Sequence, residues 1–114
     1  MSRHRARQKA LEILFSREFH GKDDIQYQED EILNMNEFDQ IIQSLAKGWD
    51  VSQMNRADKN VMRMALCELL YPKDADMADA VILNEAIELA KEFSGHKSSR
   101  FVNGILGTYV RQRK

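Results

Sequence analysis

Arg3, Arg5, Arg7 and Lys9 alternate along the start of the chain, and no acid falls within residues 3–9. A second acid-free stretch, residues 97–114, holds Lys97, Arg100, Arg111, Arg113 and Lys114. The formal net charge of −1 hides this arrangement, because all 18 acidic residues lie between positions 10 and 96. Arginine presents a planar fork to phosphate oxygens and a flat face to bases, so these residue types point to a polyanion as ligand. Two outcomes are open. Helix packing brings the basic ends together as one anion-binding patch on an acidic body, or each end remains a solvated tail.

Other chemistry finds no support. There is no glycine-rich phosphate loop. His4, His20 and His96 lack metal-ligand spacing. Cys67 is the single cysteine, so no internal disulfide or cysteine-based metal site is available, and its apolar surroundings predict a buried, inert thiol. Glu85 and Glu88 share a helix face and read as solvated acids. No nucleophile stands beside a base, so no enzyme activity, cofactor or small-molecule substrate is expected. No apolar run approaches the roughly 20 residues of a membrane span. No apolar region follows the basic N-terminus as it does in a secretory leader. The cytoplasm is the expected compartment.

The elements that must position these cations are helical. The 114 residues, 13.3 kDa in all, suit one domain over 1–114, with a basic arm at 1–9 and a basic tail at 111–114. Apolar residues recur at three- and four-residue spacing, and five Gly and one Pro are few for a sheet protein. The pattern predicts an all-α fold of five to seven helices. Ala6, Ala10, Leu11, Leu14 and Phe15 mark a helix over 3–19, stopped near Gly21. A short helix is possible within 22–35. Phe38, Ile41, Ile42, Leu45 and Trp49 mark a helix over about 37–49, with Asn36 and Asp39 as a capping pair. Asn55 and Asp58 repeat that signal before the most apolar helix (Val61, Met62, Met64, Ala65, Leu66, Leu69), which should be central to the core and is ended by Pro72. A polar linker, 73–77, leads to a helix over about 78–93, with Gly95 as a left-handed cap. Ser98 or Ser99 should cap the last helix, in which Gly104 and Gly107 suggest close approach of a neighbour.

Three segments carry a resemblance. Val81–Lys91 reads VILNEAIELAK, Arg100–Leu106 reads RFVNGIL, and the helix before them reads RADKNVMRMALCELL. With the arm SRHRARQKALEILF, their order and spacing resemble the bacterial transcription antitermination factor NusB family over roughly residues 2–20 and 45–110. The resemblance implies a compact helical bundle of two small helical subdomains. It implies binding of boxA-type single-stranded RNA together with a small-subunit ribosomal protein that doubles as NusE. Other Nus factors and RNA polymerase complete the assembly, which promotes ribosomal RNA transcription, and no chemistry is catalysed. The chain departs from the family in three places. Residues 20–36 are compressed, Ala78 stands where a proline is usual, and Cys67 stands where an aromatic is common.

The resemblance assigns RNA contact to Arg3, His4, Arg5, Arg7, Lys9, Lys97, Arg100 and Phe101. Phe101 either stacks on a base or anchors the last helix, since it also belongs to the apolar stripe. Asp58 matches an acidic position on the side that meets the ribosomal protein, or it only favours its own helix N-terminus. Asn84, Glu85 and Asn103 are expected to be structural, with the asparagines tying neighbouring elements by hydrogen bonds. The shortened N-terminal half motivates an alternative: a helical protein-interaction adaptor or accessory domain with reduced RNA binding.

Overall fold

The structure, a computed structural model, describes residues 5, 8, 35–48, 50–71 and 77–113. These residues form helix α1 (Met35–Leu45), a 3-10 turn (Val51–Gln53), and helices α2 (Arg56–Leu70), α3 (Asp79–Ser94) and α4 (His96–Arg113), with no strand among them. Arg5 and Gln8 are also helical. The rest of the expected 3–19 helix, the possible helix within 22–35, Trp49 and residues 73–76 lie outside the described residues. The expectations of two subdomains and of five to seven helices turn on those residues too.

In α1, Phe38 and Ile42 are one turn apart and both buried. The helix ends at Leu45, earlier than the stripe predicts, and Gly48 turns the chain at φ 83°. It also starts at Met35, so Asn36 lies inside it rather than at its cap. Asp39 has a different partner from the one expected. Its carboxylate takes both prongs of the Arg63 guanidinium, at 2.7 Å from Nε and 2.8 Å from Nη2, which locks α1 to α2. The Tyr71 hydroxyl adds a second tie by donating to Glu37 at 2.7 Å.

Helix α2 is central, as its apolar surface predicts. It packs against α1, α3 and α4 and buries Val61, Met62, Ala65, Leu66 and Leu69. Asn55 caps it, its side chain accepting from the Ala57 N–H at 2.8 Å. The helix stops at Leu70, one residue before the position that Pro72 constrains. Cys67 is half-buried at the edge of the core rather than enclosed. Helices α3 and α4 complete one core with Ile82, Ala86, Leu89, Val102, Ile105 and Leu106.

A single residue, Gly95, separates α3 from α4. Its φ is positive, as a glycine cap requires, but ψ is −174°, an extended value rather than a left-handed helical one. Its N–H closes α3 by donating to Lys91 O at 2.9 Å. Because α4 starts at once, Ser98 and Ser99 fall within its first turn and do not cap it. Ser99 Oγ instead donates to His96 O at 2.8 Å. Among the described residues, no neighbouring helix comes within 4 Å of a Cβ placed on either helix glycine. A Cβ on Gly104 would meet nothing within 4 Å, and one on Gly107 would meet only side chains of its own helix, Arg111 and Asn103.

Gly95 holds φ 96° and ψ −174°, a region closed to residues with a Cβ. Gly95→Ala should therefore lower unfolding free energy by about 1–3 kcal/mol. A urea melt reads this as an earlier midpoint at unchanged slope, and an unchanged midpoint would show that the turn tolerates a side chain.

Candidate nucleic-acid interface

The α3–α4 hairpin positions the cations. Its two helices run antiparallel, since Asp79 at the start of α3 meets Arg113 at the end of α4, with Oδ2 and Nη1 3.8 Å apart. The turn at Gly95 forms the opposite corner. Lys97 and Arg100 project there from the first turns of α4, and both are exposed. Phe101 lies one turn beyond Lys97 on the same side of the helix and is partly buried against the core. Its ring thus does two things. It belongs to the apolar stripe and also walls a pocket with Met54, Asn55, Asp58, Lys97 and Ser98.

Gln8 reaches this corner. Gln8 Nε2 donates to Glu92 Oε2 at 3.0 Å, and Glu92 lies in the last turn of α3. Gln8 carries no charge, and nothing in the sequence singled it out. Arg5 is exposed and helical. At most about 11 Å of backbone separates it from Gln8. Arg3, His4, Arg7 and Lys9 lie outside the described residues.

The C-terminal cations do not join this group. A helical rise of 1.5 Å per residue puts Arg113 roughly 24 Å along α4 from Lys97. There Arg111 Nη2 donates to Thr108 Oγ1 at 3.1 Å. The Arg113 guanidinium sits 5.7 Å from the centre of the Tyr109 ring. The acid-free stretch 97–114 is therefore split between two ends of one helix, and only Lys97 and Arg100 share the corner that Gln8 touches. Lys114 lies outside the described residues.

Asp58 differs most from its sequence reading. It is 6% exposed, so its carboxylate lies almost wholly within the fold rather than out in solvent. The Ser98 hydroxyl of α4 hydrogen-bonds its carboxylate, and Oδ1 is buried with no partner among the described residues. Burial holds the Asp58 carboxyl above its ordinary value, and the bond from Ser98 partly offsets this. Asn60 went unnoticed in the apolar run of α2. It is fully buried, and its Oδ1 accepts from Arg63 Nη1 at 3.0 Å. Asn84 and Asn103 are exposed, and no hydrogen bond from either side chain occurs among the described residues, so neither ties elements together there.

By class this is an all-α bundle with a cationic, aromatic-walled corner at a helix-hairpin turn. The family model for the NusB family matches residues 31–111, and the chain belongs to that family. A transcription antitermination protein NusB from Finegoldia magna is 30% identical over 135 aligned residues, covering 100% of this chain and 97% of that protein. The solved structure of T. maritima NusB superposes with a TM-score of 0.81 at 30% identity, covering 95% of this chain and 89% of that one. A crystal structure of NusB and NusE in complex with double-stranded RNA superposes at 0.74 with 20% identity, covering 95% and 96%, a likeness of fold alone. No helix among the described residues is long and apolar enough to cross a membrane.

A carboxyl whose folded-state pKa is raised binds an extra proton on folding between its unfolded and folded values. Its contribution is complete below the ordinary value of 3.8 and is lost as pH rises through the folded value. Asp58→Asn has no proton to lose. The melting temperature of the variant minus that of the parent should therefore increase between about pH 3.5 and pH 7. A difference that stays flat or falls would show that the charged carboxylate is well satisfied where it lies.

Proposed function

We propose that the protein is an RNA-binding transcription antitermination factor. It takes boxA-type single-stranded RNA together with a NusE-type ribosomal protein, joins other Nus factors on RNA polymerase in the cytoplasm and promotes ribosomal RNA transcription. It acts by binding rather than by catalysis. One observation supports the reading: Gln8, within the basic stretch, hydrogen-bonds Glu92 beside the hairpin corner that presents Lys97, Arg100 and Phe101. Arg3, Arg5 and Arg7 then supply forks to phosphates, with His4 and Lys9 beside them. Lys97 and Arg100 extend the track, and Phe101 offers its ring to an unstacked base. Family membership supports the assembly, and the neighbouring NusB structure with NusE and RNA has the same fold.

Fluorescence anisotropy with boxA RNA and a scrambled control, with and without the ribosomal protein, tests this. Replacing Arg3, Arg5 and Arg7 together by Ala should weaken binding strongly, and unchanged binding by a folded variant would remove the arm from the mechanism. If three to five phosphates are contacted, log affinity falls with log salt at a slope of about −2 to −3.5. Equal affinity for duplex and single-stranded RNA would count against recognition of unpaired bases. Capture of the ribosomal protein that never gains from RNA would favour the adaptor reading.

A further inference from the structure

The cavity between the start of α2 and the first turns of α4 has a volume of about 330 Å³ and is lined by Met54, Asn55, Asp58, Lys97, Ser98 and Phe101. Its lining is chemically unequal. One wall is an aromatic ring, the rim carries the exposed Lys97, and Asp58 beneath has a buried Oδ1 with no partner among the described residues. A buried acceptor without a donor is costly, so a donor that reaches it gains more than an ordinary hydrogen bond. We infer that this pocket takes one unpaired RNA base bearing an exocyclic amino group, whose N–H donates to Asp58 Oδ1 while its ring lies against Phe101. This rests on the RNA-binding reading above and deepens it from phosphate tracking to base selection.

The chemistry selects among bases. Adenine, cytosine and guanine each carry an amino group on the Watson–Crick edge. Uracil has one ring N–H there, set between two carbonyl oxygens that a carboxylate repels. Phe101 supplies the flat surface on which an unstacked base rests, and Lys97 stands where the backbone of that nucleotide would pass. The long, unbranched side chains of Met54 and Lys97 can turn aside to admit the ring. A lysine or arginine from a protein partner would also satisfy the carboxylate, but Lys97 at the rim repels a cation and attracts a phosphate. Burial of Asp58, which disfavours its unpaired charge, makes a donor there more valuable.

The test is a single-atom scan of the RNA. A labelled single-stranded boxA RNA is bound to the full chain and followed by anisotropy. Each amino-bearing base is replaced in turn by its analogue without that group: purine riboside for adenine, inosine for guanine, a 4-deamino pyrimidinone for cytosine. At one position the loss should be about tenfold or more. The same replacement should cost Asp58→Ala less than about twofold, because the acceptor is already gone. An abasic site at that position should weaken the parent strongly and Phe101→Leu little, which keeps the inference testable if Asp58→Ala does not fold. RNA binding with no amino-dependent position, or with a dependence that persists in Asp58→Ala, overturns the pocket and leaves the RNA-binding reading standing. Loss of the ribosomal protein alone by Asp58→Ala, with a flat scan, overturns it in favour of a protein cation. Absence of any single-stranded RNA binding by the parent overturns both.

Discussion

The arrangement of this protein depends on a one-residue turn. Gly95 alone joins a helix of 16 residues to one of 18, and at φ 96° and ψ −174° it does so in a conformation that a Cβ would oppose. Among the described residues nothing would touch an added Cβ there, and the positive φ sets the constraint in the backbone itself. Because the turn is so short, α3 and α4 must fold back on each other from their first residues. The start of α4 is then fixed relative to the end of α3. Lys97, Arg100 and Phe101 gain a defined place in space, and Glu92 is set where Gln8 reaches it.

The second constraint is the burial of α2 by its three neighbours. A helix so enclosed has little surface on which to keep polar groups in water, and each one it carries needs a partner from another element. Arg63 finds Asp39 on α1. Asp58 finds Ser98 on α4, and its Oδ1 has no partner among the described residues. Asn60 uses its oxygen on Arg63 and leaves its nitrogen Nδ2 without a partner among the described residues. Of these orphans, only that of Asp58 belongs to a residue lining a cavity that also has an aromatic wall and a cation at its rim.

Much of the fold was legible in the sequence. The apolar stripes of α2 and α4, the Asn55 cap and the stop before Pro72 all follow from local rules: side-chain spacing, cap chemistry and the missing proline N–H. The candidate site could be read only as composition, in the types of residue at 3–9 and 97–101 and in the resemblance to a family. Its misreadings have one cause. An aspartate three residues after an asparagine looks the same whether it caps a helix, as Asn36 and Asp39 suggested, or pairs with a distant arginine, as Asp39 does with Arg63. Likewise, helix glycines look the same whether another helix approaches them or, as with Gly104, nothing does.

Helix content, the central role of α2 and the clustering of cations along the chain were determined by the sequence itself, because each depends on neighbours within a turn or two. Which cations share a corner was decided only by the tertiary structure. Lys97 and Arg113 stand in one acid-free stretch, yet a rigid helix holds them roughly 24 Å apart. Gln8 and Glu92, 84 positions apart in the chain, are hydrogen-bonded. Asp58, which reads as a surface acid, became the floor of a pocket because α4 packs its first turn over it. Burial and long-range pairing depend on how whole helices stack, and no local pattern of residues encodes that.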